Sequence, residues 1–222
     1  MKYHHQSGIK QKGGKGKILW TILPVVALLG GSYILVNMFS PAVDVMGPPT
    51  DATAKKLQAL KPTLSDNRLY VPKVNIDVAI VDINGDEKAA LERGAINRAP
   101  DNGNPAGGGN YVIAAHRFQL GLLPSQTRQK SPFYHIDRLQ QGDEIYVDYN
   151  GTRYAYQVTE RKLVGPNEIE IEARTNEPRL TMYSCELAGP KAGREVVIAK
   201  PVGTIAWDSS GRPKLDTMSS SL

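Results

Sequence analysis

Positions 18–36 read ILWTILPVVALLGGSYILV, nineteen residues without a charge, and no other feature limits the fold of this chain as strongly. At about 1.5 Å of rise per residue, a helix of that length crosses a hydrocarbon core of about 30 Å, inside which backbone groups must satisfy one another. Residues 18–39 are therefore expected to form one transmembrane helix, and Pro24 is tolerable there because neighbouring groups take up the freed carbonyl. Lys2, Lys10, Lys12, Lys15 and Lys17 precede the span with no acidic residue in the 1–17 segment. The positive-inside rule then keeps that segment in the cytoplasm and sends everything after Phe39 outside. A cleaved signal peptide is the alternative. Its apolar region usually runs about 7–15 residues and ends at a small-x-small site, which Asn37, Met38 and Phe39 do not supply, leaving Gly30, Gly31 and Ser32 as the one place to cut.

The formal net charge of +5 raises the question of a nucleic-acid partner. The five lysines ahead of the span equal that excess, so the outer portion is close to neutral and the nucleic-acid reading loses its support. Those lysines suit anionic lipid headgroups instead. Residues 40–66 carry Pro41, Gly47, Pro48, Pro49 and Pro62 around a helix-prone piece at 53–60, and read as a stalk. Residues 205–222 form a polar tail without periodicity from Asp208 onward. Between them, residues 67–204 make one domain of ordinary size, able to close a core without disulfides.

Within that domain the pattern is one of short strands. Residues 68–74, 78–83, 110–116, 196–199 and the stretch around Cys185 are rich in β-branched residues. Residues 144–149 and 152–159 flank Asn150 and Gly151, a pair that favours the positive φ of a two-residue hairpin. Residues 86–93, stopped by Gly94, predict a short helix. Seven or eight short strands with one or two helices imply a mainly β fold, a barrel or a sandwich rich in antiparallel pairs.

Cys185 is the single cysteine of the chain. A thiol outside the membrane with no intramolecular partner is a reactive group or an intermolecular link rather than a staple. His116 ends an apolar strand just after the glycine-rich loop 103–109, and Arg194 opens another strand. A cysteine nucleophile needs a base or cation nearby, an imidazole can protonate a leaving amine, and an arginine can hold a developing oxyanion. Taken singly each is weak, because buried cysteines are usually small hydrophobes and surface histidines and arginines are usually solvated.

In order and spacing these residues resemble the sortases, membrane-anchored cysteine transpeptidases. Residues 69–80 look like the family's opening strands. Residues 91–95, Pro100 and the stretch 109–117 are similar to its helix and histidine strand, and residues 133–139, Gly142, Asp143 and Ile145 match the segment before its central strands. Thr181, Met182, Tyr183, Ser184 and Cys185 match its Thr-Leu-x-Thr-Cys signature, with Arg194 nine residues on. Met182 in place of leucine, Ser184 in place of threonine and Ala115 in place of glycine depart from the pattern with small changes of size or polarity. A polar insert, 119–131, follows the histidine.

The resemblance implies an eight-stranded β-barrel and a two-step acyl transfer. Cys185 attacks a threonine carbonyl in the C-terminal sorting signal of a secreted protein, His116 protonates the departing amine, Arg194 steadies the oxyanion, and Thr181, Ser184 and Ala115 lie at the substrate. An amine then resolves the thioester, from a cell-wall precursor or from another protein's lysine. The lack of a second apolar span and of an aspartate-plus-aromatic lid favours wall anchoring over pilus polymerisation. A cysteine endopeptidase and an inactive binding module remain as alternatives. A lipid-modified cysteine is ruled out because it would directly follow a signal peptide.

Two further features carry plainer readings. His135 is expected to be structural, since it misses the matching position. Asn167, Glu168, Glu170 and Glu172 form a solvated acidic face, with a hard cation such as calcium as the alternative. No cofactor is otherwise indicated, and one cysteine with no histidine pair at ligand spacing gives no zinc site.

Overall fold

A computed structural model describes residues 15–43 and 52–217 of the chain. The chain forms two units, one reaching Val36 and one running from Asn37 onward. Helix α1 (Lys15–Val43) contains the apolar stretch Ile22–Val43, the one helix among the described residues long and apolar enough to cross a membrane. It runs past the expected end at residue 39 and takes in the start of the expected stalk. The helix-prone piece of the stalk forms α2 (Ala52–Ala59).

The second unit follows from strand chemistry and its interruptions. β1 (Arg68–Val71) is shorter than the predicted strand because Pro72, with no amide proton and a fixed φ, starts a 3-10 turn over Pro72–Val74. Asn75 leaves that turn in the left-handed conformation, and β2 (Ile76–Val81) returns antiparallel to β1. Helix α3 (Glu87–Leu91) is capped by Asp86, whose carboxylate accepts the Ala89 amide at 3.0 Å. It leads to β3 (Ala95–Asn97), β4 (Gly103–Asn104) and β5 (Gly108–Ala114). Helix α4 (Pro124–Gln129) lies in the insert after the histidine. β6 (Glu144–Tyr149) and β7 (Thr152–Val164) form the predicted hairpin, with Asn150 at φ 47° and Gly151 at φ 79°. β8 (Arg179–Glu186) and β9 (Gly189–Trp207) follow. Residues read as an irregular tail form β10 (Pro213–Thr217), which pairs with β9, because the turn at Asp208–Arg212 is closed by the Asp208 carboxylate on the amides of Ser210 and Arg212, each at 2.9 Å. Residues 218–222 lie outside the described residues.

The strand order closes on itself. β9 pairs with β7, then β6, β1, β2, β3 and β5 follow, and β8 fits between β5 and β9, so eight strands make a closed barrel. Two of its pairings, β2 with β3 and β5 with β8, are parallel, and the other pairings are antiparallel. Strand alternation sends one residue in two inward, where Leu69, Val71, Tyr111, Ile113, Phe133, Ile145, Met182 and Val197 form the main core. A second apolar cluster, Val112, Ala114, Val164, Ile171, Tyr183 and Val196 among others, lies on the opposite face of β5, β8 and β9.

On the outer face of the hairpin, Arg153 is 1 % exposed and opposite Asp148. Its guanidinium meets that carboxylate in a fork at 2.6 and 2.7 Å, donates to the Leu57 carbonyl of α2 at 2.6 Å, and lies against the rings of Tyr70 and Trp207. Removing one partner leaves a buried charge uncompensated. We expect Asp148→Ala to cost about 3–5 kcal/mol in denaturant unfolding and Gly151→Ala, which forces a side chain into positive φ, about 1 kcal/mol.

Candidate active site

β8 is hydrogen-bonded along both edges, and its alternation sorts the signature residues by face. Leu180 and Met182 belong to the barrel core and Ser184 shares their parity, whereas Thr181, Tyr183 and Cys185 face outward. Arg194 is the register partner of Cys185 on β9. Opposed residues of an antiparallel pair share a face with Cβ atoms about 4.5–5.5 Å apart. A register shift follows immediately, between Cys185 and Glu186, and bulges of this kind end pairing and re-aim side chains.

His116 lies two residues past the end of β5, on the other side of β8. The parallel register reaches Ala114 opposite Tyr183, and the Ala115 amide still donates to the Tyr183 carbonyl at 3.3 Å. Continued two residues past that last pair, the same register would set His116 opposite Cys185. The Phe133 amide donates to the His116 carbonyl at 3.2 Å and fixes the exit from the strand. The imidazole Nε2 is buried and meets no hydrogen-bond partner among the described residues. Burial holds the His116 pKa below its ordinary value. The Glu92 carboxylate opposes that shift and the Lys130 ammonium, its ion-pair partner, adds to it.

Arg194 is half-buried and oriented by its surroundings. It donates to the Pro166 carbonyl and lies 5.7 Å above the centre of the Tyr183 ring. The Tyr183 hydroxyl in turn donates to Glu172, whose carboxylate is 3.6 Å from Arg98. Gly193 has φ 125°, and a Cβ there would fall 2.5 Å from the Val164 carbonyl, so only glycine lets β9 approach β7 just before Arg194.

The other sequence-derived site residues fall elsewhere. Thr181 was expected at the substrate, but it is fully buried and its hydroxyl donates to Asn110 Oδ1 at 2.7 Å. Asn110 holds the β7–β8 connection by donating to the carbonyls of Ile171 and Ala173, both at 2.9 Å. Ser184 and Ala115, at 1 % and 5 % exposed, point into the barrel rather than beside the thiol. Period-two alternation puts Ser184 and Ala115 on the inner face, and Thr181 is tied through Asn110 to the β7–β8 connection. His135 is buried and donates from Nε2 to the Pro41 carbonyl at 2.9 Å. Among the described residues no group of three or more His, Cys, Asp or Glu side chains could hold a metal. Glu168 accepts the Gly165 amide at 2.8 Å and Glu172 is engaged by Tyr183 and Arg98.

Behind the outer face lies a charged cluster that sequence reading missed. Arg117 and Glu195, each next in sequence to a candidate site residue, are both 5 % exposed and lie 3.8 Å apart. Glu195 also accepts from Arg161 at 2.5 Å, and Arg117 lies 3.1 Å from Asp137. The signal was present in the alternation: His116 and Arg194 facing outward force their successors inward, where two opposite charges must meet. Glu195→Ala is expected to destabilise the fold by about 3–5 kcal/mol in urea unfolding, and Arg117→Met with Glu195→Leu to recover most of that loss.

A family model described as the sortase domain matches residues 69–202. Sortase A of Bacillus anthracis is 27% identical over 142 residues, 63% of this chain and 60% of that protein. Sortase A of Listeria monocytogenes is 26% identical over 132 residues, so the chain spans between 54% and 60% of the length of these two relatives. The crystal structure of the Listeria monocytogenes sortase A superposes with a TM-score of 0.53 at 23% identity, covering 68% of this chain and 90% of that one. The barrel is the fold of these structures, and with its domain model matched over more than half its length the chain belongs to the sortase family.

Proposed function

We propose that the protein is a cysteine transpeptidase in which Cys185, His116 and Arg194 carry the reaction. One observation supports this reading: Cys185 and Arg194 are register partners on β8 and β9, and an imidazole with an unbonded nitrogen follows the end of β5, the strand on the other edge of β8. The substrate is a secreted protein with a C-terminal sorting signal, and the acceptor is an amine of the cell wall. Helix α1 anchors the enzyme, with the basic N-terminal segment in the cytoplasm and the barrel outside.

With its pKa held down by burial, the His116 imidazole is neutral at pH 7 in the free site. It takes the proton of Cys185 as Sγ attacks the threonine carbonyl carbon, and the carbonyl oxygen gains the charge that Arg194 faces. The tetrahedral species then expels the amine, which receives that same proton from His116, and the acyl group stays on Cys185 as a thioester. The acceptor amine repeats the sequence in reverse, giving its proton through His116 to the departing sulfur. An amide is broken, an equivalent amide is made, and the enzyme is returned unchanged.

Mass spectrometry of the full chain with Leu-Pro-x-Thr-Gly-like peptides and a polyglycine or diaminopimelate-type amine tests the reading. We expect an acyl adduct on Cys185 that passes to the amine, and none in Cys185→Ala. Hydrolysis without transfer to any amine would indicate an endopeptidase, and absence of an adduct a binding module.

The pH dependence follows from the sign of the His116 shift. Below its depressed pKa the imidazole is protonated and cannot accept the thiol proton, so kcat/KM should fall on the acid side at a pH below about 6.5. Glu92→Gln removes the carboxylate that raises this pKa and leaves Lys130, which lowers it. The acid limb should therefore move to lower pH in that variant, and a limb that stays in place would show that another group sets it.

A further inference from the structure

Residues 120–123, in the insert after His116, expose three leucines: Leu120 and Leu123 at 50% and Leu122 at 81%. The backbone beneath them is satisfied from within. The Gly121 amide donates to Thr127 Oγ1 at 2.9 Å, and the amides of Leu122 and Leu123 donate to Gln126 Oε1 at 3.0 and 3.2 Å. The carbonyls of Gly121 and Leu122 accept from Asn37 Nδ2 at 2.9 and 3.2 Å, and the Leu123 carbonyl accepts the Thr127 amide at 3.0 Å. A surface loop ordinarily leaves such groups to water. Here the polar groups of residues 121–123 turn inward and the apolar side chains turn out, which is the condition for backbone to enter a lipid interface.

The same hydrogen bonds fix where the leucines stand. Asn37, 4 % exposed, belongs to the apolar stretch Ile22–Val43, and Thr127 donates to its Oδ1. One turn on, the Ser40 hydroxyl reaches the Pro124 carbonyl at 3.0 Å. Met38, Phe39 and Val43 around this seam are exposed at 44%, 59% and 59%. A bilayer that takes up the helix therefore meets the leucine loop at the depth of Asn37. Beside the leucines, a recess of about 670 Å³ is lined by Arg93 and by the Lys130–Glu92 ion pair.

We propose that Leu120, Leu122 and Leu123 form a second membrane contact, inserted in the outer-leaflet interface and tethered to the end of α1 by Asn37. This rests on α1 being a membrane anchor. The contact holds the loop that leaves His116 against the lipid surface, so the recess beside the candidate site opens at the bilayer.

The test uses the full chain in vesicles of phosphatidylcholine and phosphatidylglycerol, with Cys185→Ser so that one introduced cysteine carries an environment-sensitive fluorophore. Labels at Leu122→Cys and, as a second variant of the loop, Leu123→Cys are compared with one at Phe39→Cys. Quenching by nitroxide-bearing lipids and shielding from aqueous iodide are expected at all three positions. Lipid quenching at position 39 with iodide access at 122 and 123 overturns the proposal and leaves the anchor standing. Iodide access at all three overturns both. Shielding at 122 and 123 without lipid quenching shows a protein partner or a second copy on the loop, and also overturns it. Adding Asn37→Ala should weaken lipid quenching at 122 and leave it unchanged at 39, and undiminished quenching at 122 would remove the tether.

Discussion

The structure depends on β8 being hydrogen-bonded on both sides. Its parallel edge with β5 and its antiparallel edge with β9 close the barrel, and the same two ladders decide which side chains share a face. A slip of one residue on either edge would turn Cys185 away from Arg194 or from the continuation of β5 that carries His116. Barrel closure and assembly of the candidate site are therefore one set of hydrogen bonds. The supports follow from it: Thr181 and Asn110 hold the β7–β8 connection, whose Pro166 carbonyl accepts from Arg194, and Tyr183 of β8 lies against the same guanidinium.

The alternation that exposes the reactive groups also buries their neighbours in sequence. Ala115 and Ser184 are buried, and Arg117 and Glu195 are buried as an ion pair. A pair of buried charges is weak support for stability compared with apolar packing. It does join the strand exits on either side of β8, because Arg117 follows β5 while Glu195 belongs to β9. The leucine loop extends the same continuity in the other direction, from His116 through Thr127 to Asn37.

How much of this was legible in the sequence differs by the range of the interaction. Asn150 and Gly151 announce their hairpin because two consecutive positive φ angles are a local demand, and the helix read over 86–93 from its glycine stop is local too, forming over Glu87–Leu91. Cys185, His116 and Arg194 stand out in the sequence only by residue type and by order along the chain. The burial of Thr181, Ser184 and Ala115 was not legible from their nearness to the thiol in sequence, since a strand sends every second side chain to the other face and Thr181 is covered by chain distant in sequence. Asn37 was not legible at all: its partners lie 84 to 90 residues away, and nothing local distinguishes it from any polar residue ending an apolar helix. β10 was hidden for a related reason, since its polar residues gain a partner only once β9 is in place.

In the proposed reaction Cys185 and Arg194 act on the same carbonyl from the outer face of the β8–β9 ladder. A crystal structure of the protein with a sorting-signal mimic bound covalently to Cys185 tests it most directly. The expected result is a peptide lying outside the barrel against Tyr183 and the β7–β8 connection, with the acyl oxygen within hydrogen-bond reach of the Arg194 guanidinium. An acyl oxygen turned away from Arg194, toward the barrel end and Ser184, would contradict it.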